Sequence, residues 1–582
     1  MNDRARASVR PLEPWRQRLI RSLLYGRNVD RSAKARARVG LAMVAFAVIY
    51  AVIGGRLVMF ALVGDSHGGR RTAALDAIAT ARPDIVDRNG EVLATDVKAP
   101  SLFAEPRRII DKDEAIELLT ATLPDLDTAE VRDRVSGKKG FVWLKREITP
   151  LQQQEIHRLG VPGIGFLREN KRVYPTGAEV AHLIGLVNID NQGIAGMEKW
   201  LDTNGLADLH RAGFATDRLQ RPVELSVDLR VEHALRDELL MAKEKYKAKA
   251  ASGLVSNVKT GEIVAMVSLP DFDPNNPREA HDPERINRLT TGVYEMGSTF
   301  KALTLAMALD SGKATLNTMY DARGALHYGK FAIHDTHPEG RAISLSEVFT
   351  FSSNVGAARI ALAQGVETHK AFLRKMGQLD RLRTELPESA SPIVPKRWSE
   401  LNTITIAFGH GIAVAPLQAV MGINAVMNGG YLIPPTFMKR SEEEARALAK
   451  KVLKSETSEK MRYLMRLNAE IGTAKQADVK GYYIGGKTGT AEKVVNGHYS
   501  KKQVLNSFTA IIPADNPQFQ LLVMLDEPKA LPETHGFITS GWNAVPTGGK
   551  VIARIAPLLG IEPRFDLPPS DRLILAASKG TQ

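Results

Sequence analysis

From Val39 to Gly55 the chain carries no charge, and after Arg56 the run Leu57–Val63 is apolar again. As one helix, residues 39–63 span about 37 Å, enough to cross a hydrocarbon core of about 30 Å. Inside lipid every backbone polar group must be paired within the segment, so a single span has to be helical. Arg56 lies toward the far end, where its stem lets the guanidinium reach the interface. The 38 residues before the span hold eleven Arg and Lys against three acids, a surplus of eight out of the chain's +13. The positive-inside rule puts this tail in the cytoplasm and everything after residue 63 outside. A basic tail alone would suit nucleic acid; beside an apolar span it points to a membrane, and no nucleic-acid partner is expected. A cleaved signal peptide is the competing reading, against which the long basic lead and long apolar run both argue.

The 582 residues allow two or three domains, and 44% apolar residues allow substantial cores. The chain has no cysteine, which excludes thiol nucleophiles, disulfides and thiolate metal sites. Residues 64–80 are small and polar and read as a linker. Structure resumes at Arg82, with Asp87-Arg88-Asn89-Gly90 as a turn between extended segments. Residues 112–158 show mostly helical spacing. Nothing between 64 and 224 offers a catalytic set, so this part is expected to be a non-catalytic domain. A second domain, 225–565, opens near Glu224–Asp228. Its expected elements are a helix over 230–249, a strand hairpin over 254–267, a helix from Ser298 to about Leu309, and a mostly helical stretch to about 470. Strands over 482–495, 506–512 and 519–525 and a last helix over 549–559 complete it. Two outer strand groups around a helical middle predict an α/β (α+β) sandwich, with one antiparallel sheet joining N-terminal and C-terminal strands and flanked by helices. Residues 566–582 read as a loose tail.

Three motifs fall in one order in this second domain: Ser298-Thr299-Phe300-Lys301, Ser352-Ser353-Asn354 and Lys487-Thr488-Gly489-Thr490. S-x-x-K also occurs at Ser136–Lys139 and Ser256–Lys259, and K-T-G at Lys259–Gly261. The first decoy is a polar loop, and the last is the tip of a hairpin between apolar runs. Taken singly, Ser298 could be a helix cap, Ser352 and Asn354 loop caps, and Lys487–Gly489 a surface strand. Their order points instead to serine acyl transfer with a lysine base. Ser298 is the candidate nucleophile, with Lys301 one helical turn on and within reach of its hydroxyl. A lysine is a base only when neutral, which burial and a second cation, Lys487, both favour. Ser352 would relay a proton toward the leaving amine, and Asn354 would hold Lys301 and a substrate amide. Lys487 would attract a substrate carboxylate, with Thr488 and Thr490 as hydroxyl donors around Gly489. The backbone amides of Ser298 and Thr490 are the expected oxyanion hole, and the run 482–490 could pair with an extended peptide. His327, His334 and His337 have loose metal-like spacing but lie in a loop-like stretch without an accompanying helix, so no metal site is expected. His410 is expected to support a turn near the site.

This ordered set is the known signature of β-lactamases and penicillin-binding proteins, and the chain resembles the class B penicillin-binding proteins over residues 39 to about 560. The resemblance rests on Tyr294–Lys301 (with Met296 where the family often has proline), Thr260–Met266, Phe272-Asp273-Pro274-Asn275, Ser352–Gly356 and Gly486–Ala491. It also rests on Arg82–Gly90, Arg172-Val173-Tyr174-Pro175 and Gly193–Glu198, which look like the class's non-catalytic motifs. It implies the penicillin-binding transpeptidase fold, preceded by an elongated β-rich pedestal and one transmembrane helix, and an enzyme that needs no cofactor. The implied donor is a peptidoglycan stem peptide ending in D-Ala-D-Ala, with β-lactams as covalent inhibitors. Gly541–Pro546 and the compact pedestal make it most similar to the septal, cell-division transpeptidases. That likeness implies a polytopic glycan polymerase and other division proteins as partners. The elongation transpeptidase is the alternative, and a β-lactamase or a catalytically silent division scaffold are more remote. A bifunctional enzyme would need a glycosyltransferase domain for which about 160 residues of pedestal leave little room. A β-lactam sensor would need intracellular signalling machinery that a 38-residue basic tail does not supply.

Overall fold

A computed structural model describes residues 31–62, 82–137, 139–205, 221–495 and 497–565. Most of the basic tail, the expected linker over 64–80 and the expected C-terminal tail over 566–582 lie outside the described residues. The described residues of the first unit form one helix, α1 (Arg31–Leu62). Within it Arg38–Arg56 is long and apolar enough to cross a membrane, with a mean hydropathy of 1.9. Its large side chains, Met43, Phe46 and Tyr50 among them, stand exposed, as lipid-facing residues must. The helix continues past Arg56 to Leu62, and the expected end of the span at Val63 lies outside the described residues.

The second unit begins with a sheet built on a long strand. β1 (Ile85–Val86) and β2 (Val92–Ala104) pair antiparallel around the Asp87–Gly90 turn. Helices α2 (Lys112–Thr122) and α3 (Thr128–Ser136) are capped by Asp111 and Asp127. β3 (Val142–Lys145) returns to pair with β2, and α4 (Pro150–Leu159) is closed by Thr149 at its start and left-handed Gly160 at its end. β4 (Ile164–Val173) then pairs with β2 from Thr95↔Val173 to Ala104↔Ile164. β3 breaks the mostly helical reading of residues 112–158: a four-residue strand is too short for its alternation to register against the helices around it. The Arg82, Arg172 and Glu198 motifs meet in the interior. Arg172 lies fully buried between Glu198 at 2.6 Å and Asp96 at 3.2 Å, and Arg82 reaches Glu198 at 2.8 Å and Asp202 at 2.6 Å. Each buried carboxylate is thus paired, which is what makes its burial tolerable.

This region joins the next through β5 (Val223–Glu224), parallel to β1 with Ile85 opposite Val223. The Asp87 carboxylate accepts the Leu229 N–H at 3.0 Å, and the Arg88 N–H donates to the Val227 carbonyl. The Asp87 turn therefore hooks onto the first turn of α5 (Leu229–Lys245).

The second domain expected from the sequence is built on five antiparallel strands. In sequence order they are β6 (Ala250–Asn257), β7 (Ile263–Leu269), β8 (Gly485–Val495), β9 (His498–Ile512) and β10 (Phe519–Asp526), and their spatial order is β8-β9-β10-β6-β7. Strands from the two ends of the domain thus share one sheet, as expected. The Lys259-Thr260-Gly261 decoy is the β6–β7 turn, with Gly261 at φ +74°. One face of the sheet is covered by α5 and a last helix, through Val231, Leu235, Leu239, Phe508, Val551 and Ile555. The other is covered by the helical middle of the chain, residues 301–471, through Phe300, Leu303, Val426, Leu464 and Met465. The last helix begins at Ala544, not 549. Gly548 and Gly549 read as helix breakers, but a Cβ on Gly548 would lie 2.4 Å from the Phe508 ring, so that glycine is there for close packing. The middle also contains short hairpins that its sequence hid, Met319–Asp321 with Ala342–Ser344 and Leu326–Tyr328 with Phe331–Ile333.

Candidate active site

Helix α6 (Lys301–Asp310) has the sequence KALTLAMALD, apolar on every side, and nine of its ten residues are buried. A helix of this kind has to run through a core, and it carries its first residue in with it. Lys301 is 0% exposed. A 3-10 turn, Gly297–Phe300, precedes it and carries Ser298. The Lys301 ammonium nitrogen lies 3.0 Å from Ser298 Oγ, 2.8 Å from Asn354 Oδ1, 2.5 Å from the Ser352 carbonyl and 3.2 Å from Ser352 Oγ. Ser298 caps no helix with its side chain.

Ser352 sits just before α7 (Asn354–Gln364), whose cap is Ser353, accepting the Gly356 N–H. Its φ of +60° is in the left-handed region that non-glycine residues rarely adopt. This conformation places Ser352 Oγ between two cations, 3.2 Å from Lys301 Nζ and 2.8 Å from Lys487 Nζ. Lys487 enters from strand β8, opposite Thr509 of β9, and is also 0% exposed. Its Nζ stands 5.6 Å from the centroid of the Phe349 ring, a cation–π contact. Ser298 Oγ, Lys301 Nζ, Ser352 Oγ and Lys487 Nζ therefore form one contiguous chain of contacts. Burial first, and the charge of Lys487 second, hold the Lys301 amine well below the ordinary lysine range, against a smaller opposing pull from Asp335. Burial brings Lys487 down to about 7.

Strand β8 is the edge of the sheet, and it reaches the Ser298 turn only because it lacks side chains at key points. A Cβ on Gly489 would lie 2.7 Å from the Met296 carbonyl and 2.3 Å from Ser507 Oγ. Thr490 Oγ1 accepts the Ser540 N–H at 3.1 Å, which leaves its own proton free to donate outward. Thr488 Oγ1 is 2.8 Å from Thr473 Oγ1. The strand starts at Gly485; Tyr482 and Ile484, which the sequence placed in it, are held by turn hydrogen bonds. His410 stacks on Tyr499 with ring centroids 5.4 Å apart, and burial followed by the Lys301 charge lowers its pKa to about 4. Its loop bears directly on the turn that carries Ser298: the Gly297 N–H donates to the Gly409 carbonyl, and Glu295 accepts from the Gly411 N–H at 2.8 Å and the Tyr499 hydroxyl at 3.0 Å. No group of three or more metal-capable side chains assembles among the described residues.

One residue of the site escaped the sequence reading. The Asp335 carboxylate accepts from Ser353 Oγ at 2.6 Å and from the backbone N–H groups of Asn354 at 2.5 Å and Val355 at 3.0 Å. Asn354 Nδ2 also donates to the His334 carbonyl. Nothing local marks this aspartate, which stands between two histidines and has its partners 18–20 residues on. Asp335→Asn is expected to slow acylation of Ser298 by about tenfold, through loss of the clamp on the S-x-N turn. Removing the carboxylate also lowers the Lys301 pKa further and so works the other way; a rate unchanged or raised, read by intact mass, would show that the clamp does not position the site.

The fold and the site have counterparts in known proteins. Residues 251–540 match the penicillin binding protein transpeptidase domain, and residues 77–204 the penicillin-binding protein dimerisation domain. A probable peptidoglycan D,D-transpeptidase FtsI of Caulobacter vibrioides is 38% identical over 512 residues, covering 86% of this chain and 85% of that one. Peptidoglycan D,D-transpeptidase FtsI of Escherichia coli K12 is 30% identical, covering 85% of this chain and 87% of its own. Penicillin binding protein 3 of Mycobacterium tuberculosis, solved in complex with aztreonam, shares the fold at a TM-score of 0.62 and 22% identity, covering 84% of this chain and 98% of that one. This chain belongs to the class B penicillin-binding protein transpeptidases.

Proposed function

We propose that this protein is the septal peptidoglycan D,D-transpeptidase of its cell, acting through a Ser298 acyl-enzyme. The observation that carries the reading is the unbroken contact from Ser298 Oγ through Lys301 Nζ and Ser352 Oγ to Lys487 Nζ. The neutral Lys301 amine takes the Ser298 proton as Oγ attacks the carbonyl of the penultimate D-Ala of a stem peptide. The oxyanion is met by the Ser298 and Thr490 N–H groups. Ser352 passes a proton to the departing nitrogen, the C–N bond breaks and the terminal D-Ala leaves. An amine on a neighbouring strand then attacks the ester, gives up its proton to the same base and restores the Ser298 hydroxyl. Lys487, Thr488 and Thr490 hold the substrate carboxylate, Asn354 holds Lys301 and a substrate amide, and Gly489 lets the strand approach. The open edge of β8 suits pairing with an extended peptide.

Residues 1–38 would lie in the cytoplasm, 39–63 would cross the inner membrane, 64–224 would form the pedestal, 225–565 the periplasmic catalytic domain and 566–582 a tail. The names carried by the relatives support the septal over the elongation role, and with it a polytopic glycan polymerase and other division proteins as partners. The full chain in detergent, mixed with a penicillin, is expected to gain one drug mass that lasts many minutes and maps to the peptide carrying Ser298. Rapid loss of the adduct with hydrolysed drug would make it a β-lactamase, and no adduct would make it a scaffold.

A further inference from the structure

Beside the K-T-G-T strand stands an aromatic surface that the acyl-transfer chemistry does not use. The Phe537 and Trp542 rings lie nearly parallel, at 9° and with centroids 5.6 Å apart, and His535 meets Trp542 edge-on at 5.2 Å. Phe537 is 47% exposed. Large apolar rings are ordinarily exposed singly and left loose, but this group is built on a rigid base. Buried Asn506 donates to the Ile538 carbonyl at 2.5 Å and to Asn543 Oδ1 at 2.9 Å, and buried Asn543 donates to the same carbonyl at 3.1 Å. Ser540 Oγ donates to the Ser507 carbonyl at 2.7 Å. Two fully interior amides and a serine thus fix the loop from below, and what they hold outward is the exposed Phe537 ring, backed by the half-buried Trp542 stacked against it. The loop is also tied to the site itself, since the Ser540 N–H donates to Thr490 Oγ1. Phe537 and Trp542 stand three residues before and two after that bond.

Resting on the transpeptidase reading, we propose that Phe537 and Trp542 form a platform for a pyranose ring of the glycan strand that carries the stem peptide. Peptidoglycan offers two kinds of surface near the scissile bond, polar peptide and N-acetylated sugar. A flat ring face complements the apolar C–H face of a pyranose, whereas polar peptide would be served by the open backbone edge of β8. A stem of three or four extended residues spans about 10–14 Å, so a sugar and a scissile bond can be held at once by neighbouring surfaces of one domain. The platform therefore selects peptide that is still attached to glycan, and its contribution falls on substrate capture more than on the chemical step.

The test compares two donors on the full chain in detergent, a disaccharide-pentapeptide and the same pentapeptide without sugar, with penicillin acylation measured alongside. Phe537→Ala is expected to raise KM for the disaccharide donor about 5- to 10-fold, with kcat little changed. The sugar-free donor should show no such rise. Phe537→Tyr, which keeps the ring, should restore capture. Equal changes with both donors, or none with the disaccharide, would overturn the platform while leaving penicillin acylation intact. Loss of acylation in the unsubstituted chain would overturn the transpeptidase reading and the platform with it.

Discussion

Lys301→Met is expected to slow formation of the penicillin adduct roughly a thousand-fold at neutral pH, with Ser298 still in place. Methionine matches the lysine stem in length and apolar character, so it fills the same channel at the start of α6. It provides no nitrogen to receive the Ser298 proton. The loss should exceed that of any single hydrogen bond, because among the described residues the amine is the basic group placed 3.0 Å from Ser298 Oγ, with its basicity lowered by burial. The unsubstituted chain should show the matching pH dependence. Acid protonates Lys301, so acylation should fall as pH is lowered through its depressed pKa, well below the ordinary lysine range. An adduct that forms as fast in Lys301→Met, or a flat profile, would mean that another group takes the proton.

Lys487→Met should cut acylation by carboxylate-bearing β-lactams about a hundredfold or more and at the same time raise the melting temperature by a few degrees. The two effects have one cause. Lys487 is 0% exposed, and the described residues give its ammonium only Ser352 Oγ, the Thr488 carbonyl and the Phe349 ring, with no carboxylate within salt-bridge reach. Its pKa is about 7 in the folded protein against about 10.4 in an unfolded chain. Below about pH 7 both states are protonated, and the fold bears the whole penalty of burying the charge. Between about 7 and about 10 the unfolded state binds more protons, so this contribution to stability improves with pH. The gain from methionine should therefore be largest near pH 6 and fade toward pH 10, as differential scanning calorimetry would show. Without the neighbouring charge the Lys301 pKa rises, so the acid limb of the remaining activity should move to higher pH. A variant less stable at pH 6 than its parent would mean that Lys487 is held for packing and not despite its burial.

The sheet was readable because strands such as Ile263–Leu269 and Phe519–Asp526 are continuous apolar runs, the pattern of strands buried on both faces. The Val142–Lys145 strand and the hairpins near 320–340 were not, since three or four residues carry too little pattern to outweigh their neighbours. The serines and lysines of the site were legible as ordered motifs. Asp335, Ser540 and the aromatic pair were not, because their roles come from hydrogen bonds and ring contacts made across turns, and a lone Asp, Ser or Phe in a loop has no distinguishing spacing.

A charge-free span after a basic tail, the lack of cysteine and three motifs in an order matching acyl transfer are all local or countable along the chain. That Lys301 and Lys487, 186 positions apart, share the hydroxyl of a left-handed Ser352 and lose basicity together is a property of the folded molecule alone. Burial and like-charge proximity set that basicity, and both exist only once the helix from 301 and the strand from 485 have closed on the turn at 352.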